Sequence, residues 1–241
     1  MPEPVEMDPG FRRGDEVKSL EIRALQKLLA WTSPAFPVGA FSYSHGLEWA
    51  IEDGTVKDAA ALRAWLTDVL RHGAGRTDAI LFCHASRAGG DTAALRAVAE
   101  LAAAFQPSKE RHLEAMAQGR AFLSAVIAAW PNPQLTALPD DVPLTYAVAL
   151  ATAAEAHAIP LAAALTAFLT GFVANIVSAG VRAIPIGQTD GQRIIAALGE
   201  IVAEVALAAE GASLDDLGGA ALRADIASMK HESQYTRLFR S

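Results

Sequence analysis

The stretch 159–181, IPLAAALTAFLTGFVANIVSAGV, decides the fold, because it can be read as two different molecules. It runs for about 23 residues without a formal charge, long enough for a helix to cross a hydrocarbon core. About ten of these are Leu, Ile, Val or Phe, each favouring insertion by ~0.3–0.6 kcal/mol, while Pro160, Thr166, Thr170, Asn175 and Ser178 oppose it. On a helix the residues also sort by face. Leu161, Leu165, Phe168, Phe172 and Ile176 form a bulky stripe, and Ala163, Ala167, Gly171, Asn175 and Ala179 a small one that lets a neighbouring helix approach closely. No second comparable segment, flanking basic cluster or aromatic belt accompanies it. The segment therefore reads as the buried central helix of an all-α bundle, not as a membrane span.

The rest of the chain agrees. Its 241 residues are 52% hydrophobic and 20% charged, the composition of a globular chain long enough to bury a core. Alanine and leucine carry more of the apolar content than the aromatics do, which favours helix. Three-to-four apolar spacing predicts a helix from Ile22 to about Thr32. Others follow over about 42–53, 58–72 with Asp58 as N-cap, 77–87, 91–105, 108–130, 144–158, 161–181, 189–210 and 214–229. No stretch alternates with period two between turns, so a single-domain bundle of about nine to ten helices and no sheet is expected. Residues 1–20 mix Pro, Gly and both charges and read as a flexible arm; 21–229 read as the domain and 230–241 as a tail.

Charge and chemistry exclude several function classes. With 20 Lys and Arg against 27 Asp and Glu, the net charge of −7 disfavours nucleic-acid binding. Cys83 is the single cysteine, and no apolar signal core follows Met1, which together suggest a cytoplasmic protein. No two of the histidines His45, His72, His84, His112, His157 and His231 stand three or four apart, so no local metal clip is present. No phosphate-cradling glycine motif occurs. Ser42 and Ser44, near His45, lack the glycines of a nucleophile elbow and read better as helix caps. Glu48, without a partner acid or base at fixed spacing, reads as a solvated helix residue. The expectation is a protein with no catalytic, cofactor-binding or metal-ligating residues.

Three segments are more distinctive than a generic bundle requires. The first runs from Ser33 to Glu48 and contains Phe36, Pro37, Gly39, Phe41, Ser44, Gly46, Leu47 and Glu48. The second, GVRAIPIGQTDGQ (180–192), holds Arg182, Pro185, Gly187, Gln188 and Asp190; Thr189 or Asp190 there could simply cap the next helix. The third is the end, MKHESQYTRLFRS (229–241). It interleaves Tyr235, Leu238 and Phe239 with Arg237 and Arg240, a mixture common in binding hot spots. Lys230, Arg237 and Arg240 stand there against Glu232 alone, a basic surplus on an acidic chain.

These segments resemble the urease accessory protein UreF family. The first is similar to its Phe-Pro-x-Gly-x-Phe-x-x-Ser/Ala-x-Gly-Leu-Glu pattern and the second to its Val-Arg/Lys-x-x-Pro-x-Gly-Gln stretch. The third is similar to its terminus, His231, Glu232, Gln234, Tyr235, Thr236, Arg237, Leu238 and Phe239, with Ser233 where threonine is commoner. Gln118-Gly-Arg120 is a weaker match. The resemblance spans Leu25 to Ser241. It implies an all-α, homodimeric, non-enzymatic chaperone of nickel insertion that bridges UreD (also called UreH) and the GTPase UreG on apo-urease. On that reading the residues of the three segments are partner-binding. The last dozen residues are expected to be loose until UreD or UreH binds. Arg182 is expected to contact UreG or line a route for nickel, or else to complement the dipole of its helix.

Overall fold

The computed structural model describes residues 21–241. Among these residues the chain is helical with no strand. A first helix, α1 (21–31), leads through a short 3-10 turn at Ala40–Ser42 into α2 (Leu47–Glu52). There follow α3 (Ala59–His72), α4 (Ala74–Ala88), α5 (Thr92–Ala104), α6 (Lys109–Ala129) and a single turn, α7 (Pro133–Thr136). The chain ends with α8 (Tyr146–Ala156), α9 (Leu161–Ala183), α10 (Gln188–Gly211) and α11 (Leu222–His231). The expected arm, 1–20, lies outside the described residues.

The expected helices are present, and side-chain caps set several starts. Asp58 Oδ1 accepts the Ala61 N–H (2.9 Å), Asp91 Oδ1 the Ala93 N–H (2.9 Å) and Ser108 Oγ the Arg111 N–H (3.2 Å). Boundaries differ from expectation in several places, and α4, expected over 77–87, already begins at Ala74. The helix expected over 42–53 begins at Leu47, because His45 (φ 58°) and Gly46 (φ 77°) take left-handed conformations that a helix cannot contain. The helix expected over 214–229 is a 3-10 turn, Leu214–Asp216, then a break at Gly218 and Gly219, then α11. There the Ala220 and Ala221 N–H groups bond to the His72 carbonyl (2.6 and 3.1 Å) instead of continuing a helix. Finally, α10 is capped by neither Thr189 nor Asp190 as N-cap. Gly187 holds that position, and Asp190 reaches back to accept its N–H at 3.3 Å.

α9 packs on α10, α8, α4 and α2 and buries Leu165, Phe168, Leu169, Phe172, Val173, Ile176 and Val177. Each such side chain contributes about 1.5–3 kcal/mol of transfer free energy, and this seam organises the bundle. It is the one helix among those described that is long and apolar enough to cross a membrane, and 44% of its most apolar window is buried. The burial is one-sided: Ala162, Ala163, Thr166, Thr170 and Ser178 face outward, so the small stripe is only partly covered within the chain. A second cluster closes the other end, where Trp31 sits edge-on to Phe122 (5.8 Å) and Trp130 (6.0 Å) and Phe36 lies 5.3 Å from Phe122. Gly119 lets α6 cross the chain at Leu144 and Thr145, since a Cβ there would fall 2.1 Å from the Leu144 carbonyl oxygen. The Gln118-Gly-Arg120 match is thus explained by packing at Gly119.

Candidate functional site

The three distinctive segments, far apart in sequence, meet at one end of the bundle. Arg182, in the last turn of α9, places its guanidinium carbon 3.7 Å from the Phe41 ring centroid and 4.5 Å from that of Phe239. It donates from Nη1 to the Phe41 carbonyl (2.9 Å) and from Nε to the Ser178 carbonyl (3.2 Å). A planar cation between two aromatic faces is a contact that an ammonium group reproduces poorly. Arg182 Nη2 has no acceptor among the described residues. Burial lowers the pKa of this guanidinium from the ordinary arginine value.

The tail is docked on its own chain, not loose as expected. Arg240 N–H bonds to the Ser42 carbonyl (2.8 Å), Ser44 N–H bonds to the Ser241 carbonyl (2.8 Å), and the Ser44 hydroxyl donates to that same oxygen. Ser44 Oγ also accepts the Glu48 N–H (3.3 Å), but Gly46, not Ser42 or Ser44 as expected, is the N-cap of α2. Glu48 is the main anchor and not a solvated residue. Its Oε1 accepts the Leu238 N–H (2.5 Å) and its Oε2 the Phe239 N–H (3.0 Å), and the buried His231 ring places Nε2 2.9 Å from Oε2. His231 Nδ1 lies 2.6 Å from Glu110 Oε2, and Arg237 donates to Glu110 Oε1 (2.6 Å). Gln234 is buried and donates to Glu52 (2.5 Å). Lys230 and His231 belong to α11, so the tail proper begins at Glu232.

Alternation then divides the tail. His231, Gln234 and Phe239 point into the bundle, while Glu232, Tyr235, Thr236, Arg237, Leu238 and Arg240 are exposed, Tyr235 completely. Alongside, α11 leaves Leu222, Ile226 and Met229 exposed at i, i+4 and i+7. Arg223 and Lys230 flank that stripe. Leu222, Ile226 and Met229 thus form an exposed apolar stripe along α11, with Tyr235 and Leu238 exposed on the tail that follows it.

Beneath the tail lies a polar network that sequence reasoning missed. Glu114, buried, receives Arg111 (2.5 Å), His45 Nε2 (3.0 Å), Gln118 (3.0 Å) and the Ser241 hydroxyl (2.6 Å). Burial opposes its charge, yet Arg111 and then His45 hold its carboxyl down at about 2. Burial, reinforced by Arg111, lowers the His45 imidazole below the usual histidine value, while the Glu114 carboxylate works the other way. Burial pushes Asp78, near the same Arg111, up to about 6. A signal was available in the sequence. Arg111, Glu114 and Gln118 occupy the same helical stripe as Phe122 and Val126, polar residues where an inward face is due.

Not every candidate joins the face. Phe36 belongs to the aromatic cluster with Phe122 and Trp130, a core position. Pro37 and Gly39 are exposed beside the 3-10 turn, Gly39 at φ 73°. In the second segment Arg182 alone bonds to the first segment and stacks on the tail. Pro185, Gly187 and Gln188 are exposed at the start of α10, and Asp190 pairs with Arg193 (2.8 Å). Among the described residues no group of three or more His, Cys, Asp or Glu side chains could hold a metal ion.

The fold is an all-α bundle whose distinctive residues lie largely on one outward-facing surface. Comparison with known proteins gives the family. The model described as UreF matches residues 56–199. The urease accessory protein UreF of Rhodopseudomonas palustris strain BisB18 is 55% identical over 229 residues, covering 93% of this chain and 95% of that protein. The UreF of Methylobacterium sp. strain 4-46 is 54% identical over 218 residues, with 89% and 87% covered. The UreF of Bradyrhizobium sp. strain BTAi1 is 52% identical over 225 residues, with 92% and 94% covered. The chain belongs to the UreF family.

Proposed function

We propose that this protein acts in urease maturation as a non-enzymatic scaffold that holds UreD (UreH) and the GTPase UreG on apo-urease while nickel is inserted. Nickel is cargo in this reading, and the chain needs no cofactor of its own. Its work is done by binding, as a homodimer in the cytoplasm. The supporting observation is the divided tail. Glu48, His231 and Arg182 pin one set of residues and Glu110 holds Arg237, and this presents Tyr235, Leu238 and Arg240 outward from a fixed backbone.

A preorganised aromatic and arginine surface binds with less ordering cost than a loose peptide, which favours the tail and α11 as the UreD-binding element. The basic margin suits an acidic patch on that partner. Arg182 serves this face chiefly by clamping Phe41 and Phe239 together, and its effect on UreG follows from that shape. The exposed stripe Ile22, Leu25 and Leu29 on α1 offers separate apolar surface for self-association. Pull-down of UreD by wild type and by a Tyr235→Ala, Leu238→Ala double variant tests the reading. Loss of UreD with the fold intact supports it, and undiminished capture overturns it.

A further inference from the structure

A cavity of about 230 Å³ opens between the last turn of α3, the start of α4 and the C-terminal half of α10, and none of its lining residues belongs to the tail face. Part of its lining is hydrocarbon: Ile80, Val205 and Ala209, all buried. The polar lining comes from Arg71 and His72 on α3, Arg76 in the first turn of α4 and Glu204 on α10. An apolar body with a few charged groups is the make-up of a small-molecule site. The volume falls below the ~300 Å³ at which drug-sized pockets begin, so it suits a single ring or a short aliphatic chain.

Both arginines keep donor capacity. Arg71 gives Nη2 to Glu204 Oε2 (2.6 Å), but its Nε–H is buried with no acceptor among the described residues. Glu204 therefore meets one nitrogen of the guanidinium fork, where a well-placed carboxylate takes two. The Glu204 side chain is more than half exposed, a setting in which solvent screening leaves an ion pair weak. Arg76 donates Nη1 to two neutral acceptors, the Asp216 carbonyl (2.7 Å) and the Gly218 carbonyl (3.4 Å). The Asp216 carboxylate is itself taken by the Ser213 N–H and hydroxyl (2.8 Å each). The lining thus sets two guanidinium groups against one loosely held carboxylate, a local positive surplus on a chain of net charge −7.

We propose that this cavity binds a small organic monoanion, a carboxylate carried on one ring or a short aliphatic body. The body packs against Ile80, Val205 and Ala209, and the carboxylate takes the free Nε–H of Arg71 together with the Arg76 guanidinium. The volume holds one small body and not a run of residues, which favours a free anion over a segment of a partner protein. The site belongs to the isolated chain, so it stands or falls without UreD, UreG or urease.

The test is NMR titration of the ¹⁵N-labelled full chain with butyrate and with benzoate, each against its uncharged amide, butyramide or benzamide, at constant pH and ionic strength. At least one of the two anions is expected to shift the backbone amides of Ile80, Val205 and Ala209 saturably, with Kd on the order of 1 mM. Its amide should bind roughly tenfold more weakly or worse, because it lacks the charge that the arginines meet. The Arg71→Gln, Arg76→Gln double variant should lose this preference for the anion. If neither anion shifts those amides at about 20 mM, or if the uncharged amides bind as tightly, the proposal is overturned. A folded double variant that keeps the preference overturns it too. The comparison of anion with amide uses wild-type protein and does not depend on a variant folding.

Discussion

Replacing Glu48 by Gln probes the anchor with little change of shape. Three donors converge on its two oxygens: Leu238 N–H on Oε1 at 2.5 Å, Phe239 N–H on Oε2 at 3.0 Å and His231 Nε2 on Oε2 at 2.9 Å. An amide must put its own N–H₂ where one of those oxygens stood, so at least one donor loses its acceptor and the rest lose a charged one. Hydrogen bonds to charged groups contribute about 1.5–3 kcal/mol each, and a stranded donor costs a further 1–3 kcal/mol. A loss of about 2–4 kcal/mol in docking raises the open fraction roughly 30- to 1000-fold. Amide exchange at Leu238 and Phe239 reads this directly, with the fully buried Leu150 of α8 as internal control. Tail protection within about threefold of wild type would refute the assignment of Glu48 as anchor. Loss at Leu150 as well would show a fold effect instead.

Other outcomes follow from the same geometry. Arg182→Lys keeps the charge but not the planar stack on Phe41 and Phe239, and should lower stability by about 0.5–2 kcal/mol, or a few degrees in thermal denaturation; an unchanged midpoint contradicts the sandwich. Gly46→Ala adds strain at φ 77° and a Cβ 2.7 Å from the Ser228 nitrogen, whereas Gly39→Ala adds strain alone at φ 73° with open space around it. Denaturant midpoints should therefore fall more for Gly46→Ala than for Gly39→Ala, whose cost is about 1–2 kcal/mol. Glu114, held at about 2 against an ordinary 4.5, contributes stability that is complete above pH 4.5 and lost as pH falls toward about 2. The Glu114→Gln protein should accordingly lose less stability than wild type over that acidic interval, by up to about 3 kcal/mol.

Local patterns made the helices legible and hid the site. The period of 159–181 gave α9 within two residues of its end, and Asp58 gave the start of α3, because both signals act within a few residues. The break at Gly218 and Gly219 escaped because alanine-rich flanks on both sides look helical, and what ends the helix is the His72 carbonyl, distant in sequence. Glu48 read as solvated for the same kind of reason: its partners are Leu238, Phe239 and His231. No spacing rule connects residues so far apart. The docked tail was also hidden, since only the alternation of buried and exposed residues from His231 to Phe239, seen against the bundle, separates anchors from presented side chains.

In the proposed function the docked tail presents Tyr235 and Leu238 to UreD so that urease can be loaded with nickel. Co-expression with UreD, UreG and apo-urease, followed by size-exclusion chromatography, tests it when wild type is compared with the Tyr235→Ala, Leu238→Ala variant. The wild type should co-elute with UreD and yield active urease, while the variant, still helical and with its tail amides protected, should elute apart and leave urease inactive. A variant that co-elutes with UreD and activates urease as well as wild type would contradict the account.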